Sequence, residues 1–106
     1  MNARIESIIT EFRGELLALY GDRLLSLVLF GSHARGDDVL GSDIDLLVVL
    51  RGLVRPGVEI QRTGPSKAKL CLKYGEVVST TFISDQRYDT EKSPLLLNVR
   101  REGVLV

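Results

Sequence analysis

Leu24-Leu25-Ser26-Leu27-Val28-Leu29-Phe30, then Gly31-Ser32-His33-Ala34-Arg35-Gly36, then Asp43-Ile44-Asp45-Leu46-Leu47-Val48-Val49-Leu50 is the part of this chain that decides its fold. The first run is short, apolar and bounded by Tyr20-Gly21-Asp22 on one side and a glycine on the other, the pattern of a buried strand. The last run, rich in Val and Leu, reads as a second strand whose turn-side residues are carboxylates. Between them, 31–36 is a small-residue turn and 37–42 a polar loop.

Upstream, Ile5, Ile8, Ile9, Phe12, Leu16 and Leu19 recur at helical spacing with charged residues between them. They predict an amphipathic helix over about 3–19, which Gly14 weakens by about 1 kcal/mol. Downstream, 51–57 reads as a connection and 58–74 as helical, with Gly64-Pro65 predicting a kink or a split in two, the favoured reading being a break with a fresh start at Ser66. Gly75 suits a C-cap, and the β-branched run 76–83 reads as a third strand. Ser84 opens a short helix. Ser93-Pro94 is an N-cap with proline in the first turn of a final helix over 95–102, which carries Arg100 and Arg101 at its dipole-negative end and is closed by Gly103. The order predicts a small mixed β-sheet of the α/β (α+β) class with helices packed on one face, in one domain over 1–106.

Composition sets the outer limits. Fourteen Lys plus Arg against fourteen Asp plus Glu leave zero net charge on 106 residues, so the basic excess of general nucleic-acid binders is missing. No apolar run approaches the roughly 18 residues of a membrane span, and Arg4, Glu6, Glu11 and Arg13 interrupt any signal-like segment, which predicts a cytoplasmic chain. Cys71 and His33 are the sole cysteine and histidine, so an intramolecular disulfide and the usual Cys/His zinc sets are excluded. A bound metal would have oxygen ligands. Cys71 is expected as a core thiol.

Asp43 and Asp45 stand two apart, which on a strand puts both carboxylates on one face. Two adjacent carboxylates repel, and a divalent cation, Mg²⁺ or Mn²⁺, is the simplest reason to place them together. Mg²⁺ prefers to share its shell with water and phosphate. The preceding turn suits a phosphate: Gly31 permits close backbone approach, Ser32 offers a hydroxyl, and the amides that follow open a helix.

Phe30-Gly31-Ser32-His33-Ala34-Arg35-Gly36 and Gly41-Ser42-Asp43-Ile44-Asp45-Leu46-Leu47-Val48, with ten residues between Ser32 and Asp43, resemble the signature of the minimal nucleotidyltransferases of the DNA polymerase β superfamily. The motif block covers about a fifth of the chain. The resemblance implies the polymerase β-like nucleotidyltransferase fold and transfer of a nucleoside monophosphate, usually AMP from ATP, to an acceptor hydroxyl. It gives Gly31 and Ser32 to the triphosphate and Asp43 and Asp45 to Mg²⁺, while Arg35 offers a guanidinium to phosphate or pairs with Asp37 or Asp38. Small members of the family are commonly encoded beside a HEPN-domain protein, which implies an antitoxin that adenylylates a tyrosine of its toxin partner.

One departure stands out. Active members carry a further acid on the following strand, where this chain reads Val77-Val78-Ser79-Thr80-Thr81. Glu76 is the favoured third catalytic carboxylate, with Asp85 past the strand as the other candidate. The alternative function is therefore a catalytically impaired nucleotide-binding or partner-masking module of the same fold. A phosphatase using Asp43 as nucleophile is disfavoured by the missing lysine and distal acids after Ile83. His33, inside the turn, is a candidate for stacking on a base or touching phosphate. The exposed edges of so small a sheet suit capture by a partner or homodimerisation.

Overall fold

A computed structural model describes residues 2–39 and 41–106; Met1, and Leu40 within the loop read over 37–42, lie outside the described residues. Helix α1, Ala3–Tyr20, begins where the Asn2 side chain accepts a hydrogen bond from the Ile5 N–H. Its buried face is Ile5, Ile8, Ile9, Phe12, Leu16 and Tyr20. Leu19, placed on that face by its spacing, is 42% exposed, and Tyr20 one residue on takes the inward position. A single 3-10 turn, Gly21–Arg23, leads into β1, Leu24–Phe30. The one-turn helix α2, Ser32–Arg35, follows, and β2, Ile44–Leu50, returns antiparallel to β1.

Helix α3, Pro56–Tyr74, is continuous, correcting the expected break at Gly64-Pro65 and the expected start at 58. Pro56 occupies the first turn, where a missing N–H costs nothing. Pro65 is exposed and removes one backbone bond, while Thr63 and Leu70, buried on either side of it, hold both halves of the helix to the same surface. Gly75 closes α3 in the left-handed conformation. Strand β3, Val78–Ser84, pairs parallel to β2, so α3 is the crossover between them.

Ser84 caps α4, Asp85–Thr90, and Ser93 caps α5, Pro94–Glu102, through side-chain oxygens that accept from Arg87 N–H and Leu96 N–H. A two-residue strand, β4, Val104–Leu105, then pairs antiparallel to β1. The sheet order is β3-β2-β1-β4.

The mixed sheet is as read from the sequence, but the helices cover both of its faces rather than one. On the first face Leu27, Leu29, Ile44, Leu46, Val48, Leu50 and Phe82 pack against α1 and Leu70 of α3. On the second, Val28, Leu47, Val49 and Ile83 pack against Leu96 and Val99 of α5, with Tyr88 of α4 alongside. The physical reason is in β2: Leu46 to Leu50 are all buried, and a strand apolar on both sides requires cover on both. Full burial of side chains such as Ile8, Phe12 and Leu16 contributes about 1.5–3 kcal/mol each.

One polar contact is sealed into the first face. The Tyr20 hydroxyl donates to Glu59 Oε1 at 2.8 Å, and Arg62 pairs with the same carboxylate at 3.2 Å, tying the end of α1 to the start of α3. Burial, and then the Glu59 carboxylate, push the Tyr20 hydroxyl up to about 12.

Candidate active site

Phe30, the last residue of β1, is the register partner of Asp45 in β2, so the chain leaving β1 turns at Gly31 directly over that carboxylate. Gly31 has φ 75° and ψ −157°, a region open essentially to glycine alone. A Cβ there would stand 2.4 Å from Asp45 Oδ2 and 3.2 Å from its Cγ. Backbone conformation and close approach thus both demand glycine. The Gly31 carbonyl accepts from the N–H groups of Ala34 and Arg35, whereas those of Ser32 and His33, at the start of α2, have no intrahelical acceptor.

Asp45 is half-buried, and Asp43, one residue before β2, is exposed. Burial raises the Asp45 pKa above the usual carboxylate range, the Asp43 charge raises it further, and His33 and Arg35 pull it down. Asp45 thus lies against the Gly31 backbone and within electrostatic reach of Asp43, His33 and Arg35. Neither Asp43 nor Asp45 enters a hydrogen bond or ion pair among the described residues. A desolvated carboxylate without a donor, beside a second carboxylate, fits a hard cation. Among the described residues no three His, Cys, Asp or Glu side chains are grouped to hold a metal, so the pair suits an ion that keeps water and phosphate oxygens in its shell, as Mg²⁺ does.

Arg35 is already engaged, its Nε donating to Asp37 and its Nη1 to Glu102 of α5, both at 3.0 Å. Glu76 precedes β3 and is paired with Arg4 at 3.7 Å. It lines a cavity of about 260 Å³ with Asn2, Arg4, His33, Asp38 and Ser42. Beside Asp45 in the sheet the register instead places Ser79, and beside Leu47, Thr81, so hydroxyls occupy the strand positions nearest the aspartates. Asp85, at the far end of β3, accepts from the Gly52 N–H at 3.3 Å.

His33 is more integrated than its sequence position suggests. Its side chain is 8% exposed, its Nε2 lies 3.1 Å from the Ser42 carbonyl oxygen and its Nδ1 3.6 Å from Asp38 Oδ2. Nothing in the sequence marks that contact, because it depends on how the 37–42 loop folds back. Cys71 is exposed, correcting the expected core thiol: it lies one residue, about 100° around the helix, from the buried Leu70. A groove of about 740 Å³ runs along α1 beside Leu105 and Val106, and Asp43 and Asp45 do not line it.

Residues 9–93 match the family model described as nucleotidyltransferase domain. The chain is 36% identical over 84 residues to one Methanocaldococcus jannaschii protein, MJ0604, with 79% of this chain and 78% of that protein covered. It is 34% identical over 103 residues to a second, MJ0141, with 96% and 98% covered; both bear the name "putative protein adenylyltransferase". Among solved structures it is similar to a toxin-antitoxin with AMP-PNP, at a TM-score of 0.61 and 20% identity, over 89% of this chain and 68% of that one. A mutant of the toxin-antitoxin MntA-HpeT follows at 0.58 and 17%, over 88% and 67%. At these identities the likeness to the solved structures is one of fold, and it agrees with the sheet and helices described above. The family match, spanning the glycine turn and both aspartates, shows that this chain belongs to the nucleotidyltransferase domain family.

Proposed function

We propose that the chain is a Mg²⁺-dependent nucleotidyltransferase that moves AMP, or another nucleoside monophosphate, from a nucleoside triphosphate to an acceptor hydroxyl. We take the acceptor to be a tyrosine of a HEPN-type toxin partner, for which this chain is the antitoxin, acting in the cytoplasm where ATP and Mg²⁺ are plentiful. The observation that carries the reading is the Gly31 backbone pressed onto a half-buried, unpartnered Asp45 with Asp43 beside it. The M. jannaschii relatives support AMP as the transferred group and a protein as acceptor. The toxin-antitoxin neighbours, one with AMP-PNP, support the partner and the nucleotide.

In this reading Gly31 and Ser32 hold the triphosphate through backbone N–H groups and the Ser32 hydroxyl, and Asp43 and Asp45 hold Mg²⁺. Bound Mg²⁺ supplies charge neutralisation for the triphosphate and its leaving group. The acceptor oxygen bonds to the α-phosphorus, the α–β phosphoanhydride breaks, pyrophosphate departs and the acceptor proton leaves to water. This chain's own contribution is placement: the turn fixes the phosphates over the carboxylates, and in-line geometry does the rest.

Incubation with α-labelled ATP, Mg²⁺ and an extract of the source cells tests it, beside an Asp43→Asn/Asp45→Asn control. A protein band labelled only by the wild type is the expected result; label retained in the control would overturn the assignment. One observation favours the second reading, an impaired nucleotide-binding or partner-masking module: the strand positions beside Asp45 and Leu47 carry Ser79 and Thr81 rather than an acid. Saturable ATP binding without turnover or labelling would select that module.

A further inference from the structure

We propose that His33 is a positioning residue that ties the glycine turn to the strand entry carrying Asp43, and so sets the separation between the phosphate-holding and cation-holding halves of the site. The inference rests on the proposed function for what is held, and on the described geometry for the tie itself.

Asp45 needs no such help, because β2 is laddered to β1 through the Phe30–Asp45 pairing and to β3 through Asp45–Ser79. Asp43 lies outside that ladder, one residue before β2. Its neighbour Ser42 is held in two ways. Within its own loop, the Ser42 N–H donates to the Val39 carbonyl at 3.0 Å and the Ser42 hydroxyl accepts from the Val39 N–H at 3.0 Å. The other hold crosses to α2: His33 Nε2 lies 3.1 Å from the Ser42 carbonyl oxygen, an atom that only accepts, so the ring donates here in the form that carries a proton on Nε2, while Nδ1 faces Asp38 Oδ2 at 3.6 Å. The ring is nearly buried, so bulk water competes little for this bond. His33 directly follows Ser32, and Ser42 directly precedes Asp43; one bond thus connects the two flanks of the site across nine residues of sequence.

The expected consequence is specific. Loss of the donor should remove the part of the affinity that needs turn and carboxylates together, read as the ratio of affinities with and without Mg²⁺. We would titrate ATP in EDTA and in Mg²⁺ against wild type, His33→Phe, which fills the space without a donor, and His33→Gln, which retains an N–H. The Mg²⁺-dependent gain should fall about fivefold to tenfold in His33→Phe, the worth of one hydrogen bond, and return in His33→Gln. An undiminished gain in His33→Phe, equal losses in both variants, or equal losses with and without Mg²⁺ would each overturn the positioning role. A wild type with no Mg²⁺-dependent gain would instead overturn the proposed function. The tie is then read directly from ¹⁵N shifts of the imidazole: a protonated Nε2 supports it and an unprotonated Nε2 removes it.

Discussion

Gly31 and Asp45 are in contact across the mouth of the sheet, with no room for a methyl group between the backbone of the one and the carboxylate of the other. The turn that opens at Gly31 and the Asp45 carboxylate therefore share a wall, so a side chain added to the one must displace the other.

Gly31→Ala tests that wall. The added Cβ meets a carboxylate oxygen at 2.4 Å in a backbone conformation that alanine resists, so a loss of about 1–3 kcal/mol is expected in urea denaturation, together with loss of Mg²⁺–ATP binding. In an Asp45→Ala background the stability cost should shrink, because the clash is relieved while the backbone strain remains. Equal costs in both backgrounds would deny the contact.

Asp45 makes a pH prediction. Its carboxyl is held above the ordinary value of 3.8 by burial and by Asp43, so the folded state retains this proton when the unfolded state has lost it. Stability from this group is present below pH 3.8 and is lost as pH rises through the folded value. Asp45→Asn should consequently raise Tm at pH 7 in the absence of metal and lose that advantage in acid. Mg²⁺ should raise the Tm of the wild type only. A variant less stable than wild type at pH 7 in EDTA would contradict the assignment.

Ser79→Asp asks whether the strand position beside Asp45 belongs to the same site. A third carboxylate there should tighten Mg²⁺ binding, by about tenfold if one good ligand is added, while lowering metal-free stability through repulsion. Calorimetric Mg²⁺ titration of the two proteins decides; unchanged affinity would place the Ser79 side chain outside the cation's reach.

Tyr20→Phe probes the sealed contact between α1 and α3. Removing the hydroxyl leaves the buried Glu59 with one donor fewer, for an expected loss of about 1–2 kcal/mol. In the wild type one of three tyrosines should ionise only near pH 12, and the stability it contributes should fall as pH rises from 10 towards that value. Spectrophotometric titration counts the late tyrosine, and its persistence in Tyr20→Phe would refute the assignment.

Much of the fold is legible in the sequence, for reasons that differ by element. Helix α1 and strands β1 and β2 announce themselves because their periodicity or bounded apolar runs reflect burial directly, and α4 and α5 because Ser84 and Ser93-Pro94 are local caps. Asp45 falls in β2 as its alternation predicts, whereas Asp43, read as the first strand residue, lies one position before it. Misreadings arose where distant packing overrides local chemistry. Pro65 is tolerated because Thr63 and Leu70 anchor the helix on both sides of it, and β4 is too short to carry a pattern. The second helical layer hinges on Leu96 and Val99, a two-residue stripe. Ser79 beside Asp45, Glu76 beside Arg4 and His33 beneath Ser42 are matters of register and loop return, to which no single sequence is transparent.

The antiparallel pairing of β1 with β2 also bears on how the molecule comes into being. Gly31, Ser32, Asp43 and Asp45 all lie within the β1–β2 unit, whose connecting segment, 31–43, is about half as long as the 51–77 crossover to β3, so closing it costs less chain entropy. The parallel partner β3 waits on the whole of α3, and β4 must find β1 from the other end of the chain. By the ordinary cost of distant closure, the β1–β2 pairing is the least costly of the sheet's three to close, and the other two pairings brace the geometry it sets around Gly31 and Asp45.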